Sequence, residues 1–382
     1  MKISLPQHIA SLRPYKPGKP IADVIAEYGL TDVIKLASNE NPLGPSPKAM
    51  EAVRLAVAGI HQYPNGGKSL REAIAAKVGL SVDQLIAGSG SEGVMTTFMR
   101  TFFSAGDEAV TSEGSFGGFY VLASAIGMKL VRTPMRNYGY DLDALADAIT
   151  PKTRLIYIAN PNNPTGTIVG RAEFESFYEK VPPNVIILHD EAYYDFAAGD
   201  TPDYYSLLTD IRANVVTLRT FSKSHGLAGI RIGFGSGPRE LIEPMLKVKL
   251  PFEPGTLAQA AGIAALDDDE FLARTIATNR AGKVYLAKAF EEMGIAYIET
   301  AANFFCLPLG TEEDAKRLTD ELERRGVITR WLGGFGLPDC VRISIGTQQE
   351  NERAVAAMKE VLHAQVGVNG INPLASTMTE TG

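Results

Sequence analysis

The chain has 382 residues, of which 45% are hydrophobic and 21% charged, and its formal net charge is −7. This length exceeds a single ordinary core and favours two domains. An acidic balance argues against a nucleic-acid partner, because such a surface needs an excess of lysine and arginine. No run reaches the roughly 20 apolar residues of a membrane helix, and the start lacks the apolar core of a signal peptide, so we expect no membrane partner.

Cysteine and histidine usage narrows the class further. The two cysteines, Cys306 and Cys340, allow no disulfide framework, which fits a reducing cytoplasm. The five histidines lack the spacing of metal ligands, so we predict no metal site.

The first part of the chain is predicted to be an extended arm followed by helices. Prolines at 14, 17 and 20 hold the arm at 1–20 open. The elements expected after it are a helix at 20–28, a short strand, a polar proline-rich loop at 35–47, and helices at 47–58 and 67–78.

From about residue 84, short apolar runs alternate with helical stretches. Almost fully apolar, β-branched runs of this kind are typical of a parallel sheet that is covered on both faces. The predicted strands are 84–88, 108–112, 129–134, 154–160, 184–190, 214–222 and 230–237.

The C-terminal part has a different pattern, which predicts a smaller α+β domain. Its expected elements are a long helical region at 255–293, strands at 303–309, 326–330 and 340–346, and helices at 311–325 and 348–364. The residues after these are small and polar without periodicity, which indicates a disordered tail. The expected division is 1–35 as arm and part of the small domain, 36–269 as large domain, 270–365 as small domain and 366–382 as tail.

Four polar segments lie at or just beyond the carboxyl ends of predicted strands, at 88–93, 160–166, 190–193 and 220–223. In open α/β sheets this edge is where ligands bind. The first segment, GSGSEG, matches the GxGxxG pattern of nicotinamide dehydrogenases, but bare amides at a helix N-terminus suit any phosphate. A tight turn that caps a helix remains the structural alternative.

The next two segments carry polar side chains that suit a pyridine ring. In NPNNPTG a rigid loop presents Asn163, whose amide could donate to a ring oxygen, although the string could be an ordinary turn. Asp190 follows an apolar strand, where a carboxylate is costly unless it meets a cation such as a protonated ring nitrogen. Tyr193 could reach the same ring, and the alternatives are a helix cap and simple packing.

The fourth segment places Lys223 in a loop of small residues after an apolar strand. Most lysines are solvated surface charges. A desolvated lysine with cations nearby has a lowered pKa and becomes a nucleophile for a carbonyl. Ser222 and Arg231, on either side of it, could bind a phosphate.

Together these segments resemble the class I and II aminotransferases, and most closely their histidinol-phosphate aminotransferase branch. The resemblance extends over nearly the whole chain and is strongest in RTFSKSHGLAGIRIG around Lys223, while SLRPYKPG and SNENP point to the branch. It implies a pyridoxal-phosphate (PLP) transferase of fold type I, with a mainly parallel seven-stranded sheet between helices, a smaller α+β domain, and a homodimer.

The resemblance also implies a role for each matching residue. Lys223 would be the Schiff-base lysine and proton carrier, Asp190 would pair with the ring nitrogen, and Asn163 and Tyr193 would bind the ring oxygen. Phe116 would stack on the ring. The cofactor phosphate would contact Gly90, Ser91, Glu92, Ser222 and Arg231 of the same subunit, and also Tyr63 of the neighbouring subunit. The residues implied to face the substrate are Arg342, Arg330, Tyr15 and Asn39.

The implied reaction is ping-pong transamination of L-histidinol phosphate with 2-oxoglutarate. Aromatic amino acids such as phenylalanine and tyrosine are the alternative donors, and a PLP decarboxylase is a further possibility on the same scaffold. A nicotinamide dehydrogenase would leave Lys223, Asn163 and Asp190 without a role. A non-catalytic domain of a transcription regulator would need a basic DNA-binding module, for which the segment before residue 35 is too short.

Overall fold

The computed structural model describes residues 4–12 and 18–369. Its strands, numbered in chain order, are β1 (Ile34–Lys35), β2 (Leu85–Gly88), β3 (Glu108–Ser112), β4 (Lys129–Thr133), β5 (Thr153–Ala159), β6 (Ile186–Asp190), β7 (Val215–Thr220), β8 (Gly233–Ser236), β9 (Phe304–Pro308), β10 (Val327–Ile328), β11 (Arg330–Trp331) and β12 (Cys340–Ser344).

Helices surround these strands and connect most of them. They are α1 (Gln7–Ala10), α2 (Ile21–Tyr28), α3 (Pro47–Ala56), α4 (Lys68–Val78), α5 (Gly90–Phe102), α6 (Gly117–Ala125), α7 (Leu142–Asp147), α8 (Arg171–Tyr178), α9 (Tyr194–Ala197), α10 (Arg239–Val248), α11 (Thr256–Leu266), α12 (Asp269–Met293), α13 (Glu312–Arg324) and α14 (Gln348–Asn369). Among the described residues, no helix is both long enough and apolar enough to cross a bilayer.

The large sheet has seven strands in the order β2-β8-β7-β6-β5-β3-β4. Strand β8 runs antiparallel to both of its neighbours, whereas the pairs from β7 to β4 are all parallel. The mainly parallel α/β sheet expected from the sequence is therefore confirmed. Because β2 and the parallel strands point the same way, the chain leaves them all at one edge of the sheet.

Both faces of the sheet are buried, as the apolar runs predicted. Along a strand, successive side chains point to opposite faces. On β5, Leu155 and Tyr157 pack with Phe98 of α5 in one cluster, while Ile156 and Ile158 pack in a second cluster on the other face. This packing fixes which side chains reach the carboxyl edge.

A second group of strands and helices packs beside the large sheet. Strands β11, β12 and β9 form an antiparallel sheet, and β1 pairs in parallel with β10. Their cluster joins Leu36 to apolar residues of α12, α13 and α14. The segment that contains β1 thus packs with the C-terminal elements.

Several elements differ from their prediction. The arm at 1–20, expected to be extended, contains the short helix α1, which begins after Pro6, whose carbonyl oxygen accepts a hydrogen bond from the Ala10 amide. The helical region at 255–293 is two helices, because the chain turns at residues 267–268 and Asp268 caps α12 by accepting a hydrogen bond from the Phe271 amide. The apolar run at 230–237 forms a strand only from Gly233. Helix α14 continues to Asn369, so the first residues assigned to the tail are helical.

Candidate active site

A cavity of about 190 Å³ lies at the carboxyl edge of the large sheet, beyond the ends of β5, β6 and β7. It is where the sequence predicted a ligand, and it brings together most of the predicted residues. The predicted residues that line it are Ser91, Glu92, Phe116, Asn163, Asp190, Tyr193, Ser222, Lys223 and Arg231.

A second cavity of about 110 Å³ adjoins the first and faces the small antiparallel sheet. The two cavities share Phe116, Asn163, Tyr193 and Lys223. The predicted substrate residues Asn39, Arg330 and Arg342 line only the second one. The predicted cofactor residues and the predicted substrate residues therefore meet at Lys223.

Asp190 is the last residue of β6, and its side chain is almost fully buried. The Tyr157 hydroxyl donates to Oδ2 over 2.9 Å, and the Ala192 amide donates to Oδ1 over 3.1 Å. Burial raises the pKa of the carboxyl group to about 6, although both hydrogen bonds oppose the shift. A buried carboxylate that is held by two neutral donors fits the protonated ring nitrogen of a pyridine cofactor.

Lys223 lies in the loop after β7, and its Nζ donates to the Ser38 carbonyl oxygen over 3.2 Å. Burial lowers the pKa of the ammonium group to about 8, and the positive charge of Arg342 acts in the same direction. The unprotonated amine, which a nucleophile for an aldehyde requires, is therefore far more abundant near neutral pH than for an ordinary lysine.

The N-terminus of α5 forms a cradle for an anion. Gly90 has φ +80°, and a Cβ there would lie 2.6 Å from Nη2 of Arg231. Arg231 itself has φ 57°, and its Nη2 lies 3.0 Å from Oε2 of Glu92. Backbone amides and a guanidinium group at a helix N-terminus fit the phosphate of the cofactor.

Hydrogen bonds orient Asn163 and Tyr193 so that the amide of one and the hydroxyl of the other can donate toward the cavities. Arg342 donates to Oδ1 of Asn163 over 2.5 Å, which leaves the Asn163 NH₂ group on the open side. Asn39 donates to the Tyr193 hydroxyl oxygen over 2.9 Å, so that the Tyr193 hydroxyl can donate elsewhere. Two donors beside the cavity suit an anionic ring oxygen.

Phe116 lies at the wall that the two cavities share, directly before α6. A Cβ on Gly118 would lie 2.5 Å from the Phe116 ring, so glycine is what allows the ring to fold back over the helix. The preceding Gly114 has φ +58°, and a Cβ there would clash with Sδ of Met135. The positive φ and the close approach of Met135 explain why the chain has glycine at position 114.

In the described part of the chain, two predicted residues line neither cavity, namely Gly90 and Tyr63. Gly90 directly precedes Ser91, which does line the larger cavity. Tyr63 is 81% exposed and stacks on Phe252, with 4.3 Å between ring centroids, on a separate surface. Tyr15 lies outside the described residues. In the described part of the chain, no group of histidine, cysteine or acidic residues could hold a metal ion.

Sequence reasoning missed several residues that line the cavities, among them Tyr157 and Ser38. Tyr157 is fully buried within β5, and in the sequence it is one more large residue of an apolar run. Its hydroxyl was the only available signal. Ser38 acts through its backbone carbonyl oxygen, so its side chain gave no signal.

Comparison with known proteins agrees with this geometry. A sequence profile of the aminotransferase class I and II family matches residues 31–358. The chain belongs to this family and is therefore a PLP-dependent transaminase. It is similar to the histidinol-phosphate aminotransferase of Moorella thermoacetica, with 42% identity over 93% of this chain and 92% of the relative.

Other relatives carry the same name. The histidinol-phosphate aminotransferase of Symbiobacterium thermophilum is 41% identical over 93% of this chain and 97% of its own length. The crystal structure of histidinol-phosphate aminotransferase from Sinorhizobium meliloti, in complex with pyridoxal-5'-phosphate, superposes with a TM-score of 0.87. It has 27% identity and covers 94% of this chain and 98% of its own.

Proposed function

We propose that the enzyme transfers the amino group of L-histidinol phosphate to 2-oxoglutarate, which gives imidazole-acetol phosphate and L-glutamate in histidine biosynthesis. The relatives with this name cover nearly the whole chain at about 41% identity. The observation that carries the proposal is that Arg330 and Arg342 face the cavity beside Lys223. Each guanidinium group is a planar fork that suits phosphate and carboxylate alike.

The cofactor would occupy the larger cavity, and we assign its contacts residue by residue. Asp190 would pair with the ring nitrogen, Asn163 and Tyr193 would donate to the ring oxygen, and Phe116 would cover one face of the ring. The phosphate would be held by the backbone amides of Gly90, Ser91 and Glu92 and by the side chains of Ser222 and Arg231.

When bound, PLP supplies an electron sink that stabilises negative charge at the reacting carbon of the substrate. Asp190 holds a proton on the ring nitrogen and so keeps the ring electron-poor. Lys223 carries the reacting proton on Nζ, and its lowered pKa lets the amine both accept and return that proton near neutral pH. The Ser38 carbonyl oxygen holds the amine in place between these transfers.

Arg342 would serve both halves of the ping-pong reaction. Its Nη2 donates to the Ala37 carbonyl oxygen over 2.7 Å, and its Nη1 contacts Asn163. The guanidinium group is thus fixed in place before substrate arrives, so little conformational entropy is lost on binding. The same fork can meet the phosphate of the donor and then a carboxylate of 2-oxoglutarate.

The experiment is a donor panel with 2-oxoglutarate as acceptor and histidinol phosphate, phenylalanine, tyrosine and histidine as donors. We expect kcat/KM for histidinol phosphate to exceed that for each amino acid by at least about 100-fold, because its phosphate offers Arg330 and Arg342 three oxygens and up to two negative charges. The carboxylate of an amino acid offers only two oxygens and one charge. If only the aromatic amino acids are turned over, histidinol phosphate is not the donor, whereas the assignment as a transaminase stands.

The catalytic lysine is tested in the same assay. The Lys223→Ala enzyme should lose nearly all turnover, and borohydride treatment with PLP should add no mass to the peptide around position 223. Lys249→Ala, which removes another partly buried lysine, should behave as wild type.

We further propose a homodimer in which Tyr63 reaches the cofactor phosphate of the neighbouring subunit. Support comes from the apolar side chains exposed around Tyr63, namely Leu55, Ile60, Leu250 and Phe252. Such a patch is typical of a protein interface. A cytoplasmic location is part of the proposal, and the two free, buried cysteines are compatible with it.

A further inference from the structure

Tyr157 has a buried hydroxyl group that the sequence gave no reason to notice. It lies in the middle of β5 with no exposed surface, next to the strand that ends in Asp190. Tyr157 pairs with Leu188 and Ala159 pairs with Asp190, so the phenol extends along the sheet from one strand to the end of the next. Its hydroxyl reaches Oδ2 of Asp190 over 2.9 Å.

The ring of Tyr157 is fixed before it reaches the carboxylate. Phe119 of α6 stacks on it almost face to face, with 4.1 Å between centroids and an interplanar angle of 9°. The Ala192 amide binds the other carboxylate oxygen. Asp190 is therefore held at both oxygens, by Tyr157 of β5 on one side and by the segment directly after β6 on the other, and it cannot rotate without breaking a hydrogen bond.

We propose that Tyr157 is a positioning residue, which keeps the Asp190 carboxylate ionised and aimed at the ring nitrogen of the cofactor. The inference depends on the cofactor placement proposed above. A hydrogen bond from a neutral hydroxyl group stabilises the charged carboxylate without neutralising it. A buried lysine or arginine in the same place would neutralise the carboxylate and compete with the ring nitrogen for it.

The other charged groups near Asp190 are already engaged. Glu191 is buried, and Nη2 of Arg219 lies 2.8 Å from its carboxylate. The hydroxyl of Tyr140 lies between the Ser115 side chain and the Ala159 amide, and that of Tyr193 accepts from Asn39. The titratable groups around the carboxylate are His189, Glu191, Tyr140, Tyr157, Tyr193 and, across the cavity, Lys223.

The test is Tyr157→Phe, which removes only the hydroxyl group. The dissociation constant of PLP should rise about tenfold at pH 7.5, the size expected for one hydrogen bond to a charged group. Since the bond lowers the pKa of Asp190, its loss should move the pH at which affinity is half-maximal upward. With ¹⁵N-labelled PLP, the ring-nitrogen resonance should shift from its protonated toward its unprotonated position.

The matched control is Tyr178→Phe, because that hydroxyl donates to the neutral side chain of Asn214, away from the cavity. It should leave the PLP dissociation constant, the pH profile and the ¹⁵N resonance unchanged. In an Asp190→Asn background, adding Tyr157→Phe should change PLP affinity less than about twofold, because the hydroxyl acts only through the carboxylate.

Two results separate this inference from the proposed function. If wild type binds PLP at Lys223 and Tyr157→Phe matches it in pH profile and ¹⁵N resonance, the positioning role is wrong and the function stands. If wild type does not bind PLP, both are wrong. Should the Phe variant not fold, Phe119→Leu keeps the hydroxyl but frees the ring, and an unchanged ¹⁵N resonance there would overturn the role.

Discussion

At the scale of single residues, the role proposed for Asp190 in cofactor binding comes at the expense of stability. In the absence of the cofactor, its pKa is raised from 3.8 to about 6, so the folded protein holds a proton that the unfolded chain releases. Stability therefore falls as pH rises through about 4 to 6 and stays lower above this window. With the cofactor placement proposed above, this destabilising charge is what would bind the protonated ring nitrogen.

This linkage predicts that Asp190→Asn makes the cofactor-free protein more stable at pH 7.5, by about 1–3 kcal/mol, since a shift of one pKa unit corresponds to about 1.4 kcal/mol. Urea unfolding at pH 7.5 and pH 4 checks the prediction, and the gain should vanish at the lower pH. Asp143→Asn, which alters an exposed carboxylate paired with Lys180, should give no such gain. A gain that is equal at both pH values would contradict the assignment.

Lys223 gives a second pH dependence with its own sign. Because its pKa is lowered to about 8, the reactive amine becomes more abundant as pH rises toward that value. The rate at which cofactor-free enzyme incorporates PLP should increase up to about pH 8 and then level off. Stopped-flow absorbance over pH 6–10 measures it.

Removal of a neighbouring charge should move that midpoint. The Arg342 charge disfavours a proton on Lys223, so Arg342→Leu should raise the pKa and shift the incorporation profile to higher pH. Arg353→Leu, on α14 beside Asp32, is the control and should leave the profile in place. A downward shift in the first variant would show that another group controls the lysine.

Residue types at strand ends are what made much of the site predictable. Asn163, Asp190, Lys223 and Arg231 are polar where the chain leaves an apolar strand, and the structure places them around one cavity. Tyr157 was not predictable, because a strand pattern assigns it to the core and only its distance to a carboxylate shows its partner.

At the scale of elements, the loop between β7 and β8 makes a close backbone contact with the segment before α3. Gly226 has φ +68°, and a Cβ there would overlap the Gly44 carbonyl oxygen. Gly229 lies in the same loop, and a Cβ there would have no atom within 4 Å, so this position has room for a side chain. The loop that carries Lys223 is thus fixed at one end and open at the other.

Gly226→Ala should therefore cost more than about 2 kcal/mol of unfolding free energy, because the backbone must move and an unfavourable φ is imposed. It should also weaken PLP binding, since Lys223 moves with the loop. Gly229→Ala should change either quantity little. Thermal unfolding and PLP titration of both variants test this prediction. Equal effects of the two substitutions would mean that the close contact with Gly44 is not what fixes the loop.

The strands were predicted within a few residues, and so was the mainly parallel sheet, but the antiparallel direction of β8 was not predicted. Apolar runs such as 184–190 indicate a buried strand whichever way it runs. Strand β8 is antiparallel to β7, and the connection between them holds only a short 3₁₀ turn at Ala228–Ile230. A parallel return usually needs a crossover helix, so the lack of a helical pattern there was the available signal.

At the scale of the whole molecule, two sets of apolar clusters support the domain division that we propose, with 36–269 as the large domain and 270–365, joined by part of 1–35, as the small one. One cluster joins Leu36 to the C-terminal elements, and others cover the large sheet. The boundary near 269 coincides with the start of α12.

The proposed dimer predicts that inactive subunits can restore each other. Tyr63→Ala and Lys223→Ala proteins should each be nearly inactive, since one lacks a phosphate contact and the other the reactive amine. After unfolding and refolding together, about a quarter of the wild-type activity should return, because half of the dimers then contain one intact site. Assays of the mixture and of each protein refolded alone measure this, and no recovery would contradict a shared site.

The spacing of these residues along the chain has a consequence for biosynthesis. Every side chain that we assign to the cofactor precedes β8, whereas Arg330 and Arg342 belong to strands that the ribosome delivers much later. Domains tend to fold as units from the N-terminus during synthesis. A nascent polypeptide would therefore be able to capture its vitamin-derived partner before the part that recognises the reacting amine had left the ribosome.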